Sequence, residues 1–242
     1  MEAIRIENLT KKYGKLVAVD NLTLTINQGE LFSLLGVNGA GKTTTIKMLS
    51  CLTKATGGDA YINGKSVTND TAKVKSIIAV SPQESAVALG LTARENLELM
   101  CGVHGFSKAK ANEKIAELTN LLSLEPILNV KAGRMSGGYQ RRLSIAMALI
   151  CEPQILFLDE PTLGLDVLIR SDLWDIIRSL KGKITIILTT HYMEEAESLS
   201  DRIAIMKDGK LLICDTADQI KKTAGADTFE QAFISIAKGE VK

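Results

Sequence analysis

Gly36-Val37-Asn38-Gly39-Ala40-Gly41-Lys42-Thr43 is the stretch on which the reading of this chain turns. It fits G-x-x-x-x-G-K-[ST] at every fixed position. An apolar, strand-like run at 31–35 precedes it, and Ile46, Leu49 and Leu52 follow at the spacing of one helix face. Glycines let the backbone curl so that successive N–H groups point into one concavity. The new helix adds the positive end of its dipole. Lys42 reaches terminal phosphates as a point charge, and the hydroxyl of Thr43, with Thr44 beside it, can serve a Mg²⁺ ion. Strand, phosphate-cradling turn and helix together predict a nucleotide-binding α/β core.

Outward from this segment, short apolar runs alternate with helical patterns. Strands are expected at 77–80, 155–158, 184–189 and 203–206. The runs at 155–158 and 184–188 are nearly continuous in apolar character, as in a parallel sheet covered on both faces. Ile115, Leu118, Leu121 and Leu122 recur at helical spacing, as do Leu173, Ile176, Ile177 and Leu180. Strand then helix, repeated, means an α/β fold. The N-terminal part differs: 3–9 and 22–26 alternate apolar and polar residues, which predicts half-exposed antiparallel strands. Lys207-Asp208-Gly209-Lys210 between two apolar runs predicts a hairpin. Residues 90–150 read as mostly helical.

A second apolar run, 155–158, ends in Asp159 and Glu160. In open α/β sheets ligands sit at the carboxyl ends of strands, so this pair and the phosphate loop can meet on one sheet edge. Asp159 can hold Mg²⁺ directly or through water, and Glu160 can polarise the water that attacks a γ-phosphate. Alone, the pair also reads as a solvated start to the turn at Pro161; beside the phosphate loop the chemical reading is favoured. His191 ends the 184–190 strand, where an imidazole can contact the γ-phosphate and hold the water. Gln83 follows the 77–80 strand. Its position leaves two readings open, a ligand for Mg²⁺ or the attacking water, and an ordinary loop residue.

Composition sets the outer bounds. The chain has 242 residues, 45% apolar and 24% charged, which excludes a disordered chain. A net charge of +1 gives no pull toward nucleic acid. The longest unbroken apolar run is 145–151, far short of the ~20 residues of a membrane span, and the first residues lack the apolar core of a signal peptide. A cytosolic protein is expected. Cys51, Cys101, Cys151 and Cys214 are widely spaced, so neither a disulfide framework nor a zinc site is expected.

Arg134-Met135-Ser136-Gly137-Gly138-Tyr139-Gln140-Arg141-Arg142 resembles the signature segment of the ATP-binding cassette (ABC) ATPases. The phosphate loop, the Gln83 loop, Asp159-Glu160, Gly164-Leu165-Asp166 and His191 stand in that family's order, so the resemblance covers nearly the whole chain. It implies a P-loop NTPase (RecA-like) α/β core with a mainly parallel sheet, an N-terminal antiparallel β-subdomain and a helical signature subdomain. A single domain over 1–242 is expected, with the core and β-subdomain at 1–85 and 152–220, helices at about 86–151 and a helical tail at 221–242. Read from the residues, Ser136 and the N–H groups of Gly137 and Gly138 at a helix start make a second anion site. The resemblance gives that site a purpose. Two such domains, a homodimer or a pair of paralogues, associate head to tail with two ATP molecules between them. Asp166 then touches the opposite subunit, and Tyr13 matches the aromatic residue that stacks on adenine. Catalysis is expected from Glu160, His191 and Gln83, Mg²⁺ ligation from Thr43, Gln83 and Asp159, and ATP contacts from Tyr13 and residues 36–44. Met135 and Tyr139 depart from the usual Leu-Ser-Gly-Gly-Gln, and Val37 stands where proline is common. Tyr139 removes an amide that can help hold the segment's backbone, but no phosphate-binding group is lost, so an active ATPase is expected.

The resemblance favours the ATPase subunit of a membrane transporter over a soluble cassette protein, since the chain carries one cassette and no long coiled-coil insert. Residues 91–97 and 228–233 resemble the bacterial group that exports drugs, antibiotics, polysaccharide or sodium. The alternative is an importer, though the long regulatory domain of sugar importers is not seen. The expected partners are a second ATPase subunit and integral membrane permease subunits, with the chain peripheral on the inner face of the cell membrane.

Overall fold

The computed structural model describes residues 1–84 and 86–240; Ser85 and the last two residues of the expected tail lie outside the described residues. Two sheets organise the chain. In the smaller, β1 (Glu2–Tyr13) pairs antiparallel with β2 (Leu16–Asn27) on one side and with β4 (Gly57–Ile62) on the other, and β5 (Lys65–Ser66) completes the order β2-β1-β4-β5. The alternation expected at 3–9 is interrupted. Asn8 turns left-handed at φ 51°, and the register slips between Ile6 and Leu9, so that Leu9 rejoins the buried face with Ile4 and Ile6.

The larger sheet holds β3 (Leu31–Leu35), β6 (Ile78–Ser81), β7 (Ile155–Asp159), β8 (Thr185–Thr190), β9 (Arg202–Lys207) and β10 (Lys210–Asp215), in the order β10-β9-β3-β8-β7-β6. It is parallel except for β10, which returns through Asp208 and Gly209 at φ 49° and 78°. Two consecutive positive φ values are what a tight hairpin needs. Side-chain alternation sends Ile155, Phe157 and Ile187 into one core and Leu156, Leu158, Ile186 and Leu188 into another. This explains why these strands carry apolar residues on both faces.

The helices fill the layers. α1 (Lys42–Leu49) joins the core shared with the small sheet; α2 (Thr71–Lys75) is a short turn before β6. α3 (Ala93–Val103), α4 (Lys108–Leu121) and α5 (Gly137–Leu149) lie between β6 and β7 in sequence and, with α6 (Val167–Leu180), cover the opposite face. α7 (Met193–Leu199), α8 (Ala217–Ala224) and α9 (Phe229–Lys238) bury Ile220 and Phe229 against Leu35, Ile203 and Ile205. α8 begins at Ala217, inside the stretch expected to belong to the sheet core. One sequence expectation is overturned: Leu52 does not share the buried face of Ile46 and Leu49. α1 stops at Leu49, Cys51 takes φ 56°, and Leu52 is 64% exposed. Among the described residues no helix is long and apolar enough to cross a membrane.

Parallel pairing aligns the strand ends. Leu35 lies opposite Thr190, Asp159 opposite Thr189, and Ser81 opposite Leu158. The loops that follow β3, β6, β7 and β8 therefore open along one edge of the sheet.

Candidate functional site

At that edge lies a cavity of about 520 Å³. Tyr13, residues 38–44, Gln83, Glu160 and His191 line it, together with Leu16–Ala18, Leu163 and Asp208. Tyr13 ends β1 and is half-exposed, with Lys11 Nζ 4.9 Å from its ring centroid. Gly36 and Asp159 are buried behind the cavity and Val37 stands exposed beside it.

The loop is shaped by its glycines and by a neighbour. Gly41 adopts φ 101°, and a Cβ there would lie 2.5 Å from the carbonyl oxygen of Ala18. No other residue type fits without moving β2. From the β9–β10 turn, the Gly209 N–H donates to Ala40 O at 3.2 Å and buttresses the loop from outside.

Lys42, Glu160 and His191 meet at the cavity floor. Lys42 is 6% exposed and folds back, with Nζ donating to Gly36 O at 2.6 Å and to Val37 O at 3.3 Å. The same Nζ lies 3.4 Å from Glu160 Oε1. The other carboxylate oxygen of Glu160 shares a 2.8 Å hydrogen bond with His191 Nδ1. Glu160 sits at φ 48°, and its N–H donates to Thr189 O at 3.1 Å and to Thr189 Oγ1 at 3.0 Å. The left-handed turn after β7 swings the carboxylate into the cavity, and β8 holds that turn in place.

Asp159 remains in the strand. Its Oδ1 accepts from Thr43 Oγ1 at 3.1 Å and also from Thr189 Oγ1. A hydroxyl and a carboxylate in contact, with the Gln83 amide lining the same cavity, are hard oxygen donors. This is the donor chemistry of Mg²⁺, which completes its shell with phosphate oxygens and water. Among the described residues no group of three or more His, Cys, Asp or Glu could hold a metal ion.

Ser136, Gly137, Gly138 and Asp166 are not in this cavity. Ser136 caps α5, accepting from Tyr139 N–H at 3.5 Å, and is exposed. Asp166 caps α6, its Oδ1 accepting from Ile169 N–H at 3.0 Å, and is also exposed. The two segments touch: a Cβ at Gly138 would lie 2.5 Å from Ile169 Cγ2, and one at Gly137 3.9 Å from Leu165 Cδ2. Ser136, Gly137 and Asp166 form a single exposed patch, with Gly138 buried at the contact. The amide lost at Tyr139 has a substitute in Gln140, whose Nε2 donates to Ala132 O at 2.9 Å and Met135 O at 3.4 Å.

Arg141 and Glu195 are buried ionisable residues that the sequence motifs alone do not single out. Arg141, 4% exposed, donates to Pro161 O at 2.9 Å, to Asp159 O at 2.8 Å and to Pro82 O. Burial lowers its pKa to about 10 against the opposing pull of Asp159, Glu195 and Glu160. Glu195 is fully buried and accepts from Thr162 Oγ1 at 2.8 Å and Trp174 Nε1 at 3.0 Å. Burial pushes its carboxyl above the usual range. Arg141 did leave a signal: Gly138, Arg141, Ile145 and Ala148 share one helical stripe, and the other three are small or apolar.

The family model described as ABC transporter matches residues 19–163. The chain is 41% identical over 226 residues to the daunorubicin/doxorubicin resistance ATP-binding protein DrrA of Streptomyces peucetius, covering 93% of this chain and 68% of that one. An ATP-binding subunit of an ABC transporter superposes with a TM-score of 0.86 at 27% identity, over 97% of this chain and 99% of its own. A dimeric ATP-binding cassette in a post-hydrolysis state, bound to ADP and Pi, gives 0.79 at 29% identity, over 88% and 98%. The RecA-like core, the phosphate loop at the sheet edge and these likenesses agree: the chain belongs to the ABC transporter family and is one of its Mg²⁺-dependent, ATP-hydrolysing domains.

Proposed function

We propose that the chain drives export through separate integral membrane permease subunits, sitting peripherally on the inner face of the cell membrane. It is organised as a core and β-subdomain with a helical signature subdomain at about 86–151 and a helical tail. It works as a head-to-tail dimer, with itself or a paralogue. The observation that carries this reading is the separation of two half-sites. The cavity holds Lys42, Glu160 and His191, while Ser136, Gly137 and Asp166 share an exposed patch elsewhere on the same molecule, with Gly138 buried against Ile169 beside them. A cavity open on one side and a spare anion-binding helix start on the other complete each other only across two copies.

In this reading Tyr13 stacks on adenine and residues 36–44 wrap the phosphates. Incoming phosphates draw Lys42 from Gly36 O and from Glu160. Freed of Lys42, Glu160 takes the proton of the water that adds to the γ-phosphorus as the bond to ADP breaks. His191, already hydrogen-bonded to Glu160, holds that carboxylate and the water in line. Thr43, Gln83 and Asp159 would hold Mg²⁺, which neutralises charge on the phosphate oxygens. Similarity to a drug-resistance ATP-binding protein supports export of an amphipathic drug-like substrate.

The test is to purify the chain with the membrane protein that accompanies it and reconstitute both in vesicles with the ATPase outward. ATP should drive a fluorescent anthracycline into the lumen, and Glu160→Gln should bind ATP yet abolish uptake. Movement of the dye out of preloaded vesicles would overturn the export reading. So would purification without any membrane chain.

A further inference from the structure

Arg141 makes three hydrogen bonds to backbone carbonyls and, among the described residues, none to a carboxylate. Burying a guanidinium in this way is costly. An apolar side chain would fill the same space on the stripe of Gly138, Ile145 and Ala148 more favourably. What the guanidinium adds is a planar fork that can bind several carbonyls in fixed directions.

Those carbonyls are not scattered. Asp159 O and Pro161 O flank Glu160. The Asp159–Glu160 peptide is gripped at both ends, its carbonyl by Arg141 and its N–H by Thr189. This is the peptide that leads into the left-handed turn at Glu160. The third carbonyl, Pro82 O, immediately precedes Gln83. Beyond Pro161 the chain is held from its other side, where Thr162 donates to Glu195. Arg141 also lies on α5, the helix that begins with the exposed Gly137 and the buried Gly138.

We propose that Arg141 is a positioning residue for ATP hydrolysis: it holds Glu160 and Gln83 in register through the carbonyls beside them, and carries any shift of α5 to both. The proposal rests on the reading of Glu160 and Gln83 as the groups on the water side of the γ-phosphate.

The experiment compares the full chain with Arg141→Lys, Arg141→Gln and Glu160→Gln. It measures kcat, KM, equilibrium ATP affinity, melting temperature and backbone hydrogen exchange. Arg141→Lys keeps the charge and loses the fork. It should lower kcat roughly tenfold to a hundredfold while ATP affinity changes by about twofold at most. Exchange should quicken only in peptides spanning 80–84 and 159–166. Arg141→Gln should lose more, with the same pattern. Wild-type kcat in Arg141→Lys would overturn the proposal. So would a loss of ATP affinity equal to the loss of kcat with exchange raised throughout, or a failure of the lysine variant to fold, since each marks a purely structural role. Glu160→Gln separates the two readings. If it hydrolyses ATP normally, the site reading has failed; if it is inactive while Arg141→Lys is normal, only the positioning proposal falls.

Discussion

Lys42 does two jobs with one ammonium group. Folded back on Gly36 O and Glu160 Oε1, it pairs with a carboxylate that is 7% exposed and whose other oxygen is hydrogen-bonded to His191. Extended, it meets phosphates. Lys42→Ala should therefore weaken ATP binding by about 1.5–3 kcal/mol, the worth of a charge-assisted hydrogen bond, or roughly ten- to a hundredfold in affinity. It should also lower the melting temperature of the nucleotide-free protein, because the variant leaves Glu160 buried without Lys42. Fluorescent-nucleotide titration and thermal unfolding read the two effects separately. Unchanged affinity would overturn the phosphate role, and an unchanged melting temperature would mean that the ion pair adds nothing. At this scale the sequence was informative about residue type and silent about pairing. Lys42 and Glu160 stand far apart in the chain, and nothing local to either says that they touch.

Elements whose pattern is local were legible; those that depend on a neighbour, β4 and the short β5 paired to it, were not. β3 runs over the expected residues, and β7 and β9 extend the expected runs by only one or two. An apolar run between turn residues is sufficient to nucleate pairing wherever a sheet is available. β4 was missed. Gly57-Gly58-Asp59 is a poor strand former, and only pairing with β1 makes it one. Gly58 is required there: it adopts φ 70°, and a Cβ would lie 2.2 Å from Asn8 O at the β1 bulge. Gly58→Ala should cost about 2 kcal/mol or more and lower the melting temperature by roughly 4–8 °C. Gly64 supplies the control, since it has φ 75° and nothing within 4 Å of its missing Cβ. Gly64→Ala should cost only the backbone strain. Equal losses in the two variants, measured by thermal unfolding, would remove the close approach to Asn8 from the account.

At the scale of the molecule, the exposed patch of Ser136, Gly137 and Asp166 gives a test of pairing between copies. Ser136→Arg should leave the monomer folded and able to bind nucleotide, since Ser136 is exposed and outside the cavity, yet should block hydrolysis by filling the space meant for a γ-phosphate. Mixing it with Lys42→Ala sharpens the result. In a mixed dimer both lesions fall in one composite pocket and the other pocket is wild type throughout. An ATPase rate in the mixture well above either variant alone supports head-to-tail pairing; normal turnover by dilute, monomeric Ser136→Arg would refute it. The sequence by itself determined the phosphate loop, the alternation of strands and helices and the strand-end positions of Asp159, Glu160 and His191. Those features are written in backbone preferences and short apolar periods, which neighbouring residues settle among themselves. Only the tertiary structure decided that β4 is a strand, that Leu52 faces solvent, that Lys42 closes on Glu160, and that Arg141 is buried. The carbonyls Arg141 binds lie 18, 20 and 59 residues away along the chain. A buried cation is tolerable only where the fold brings such partners to it.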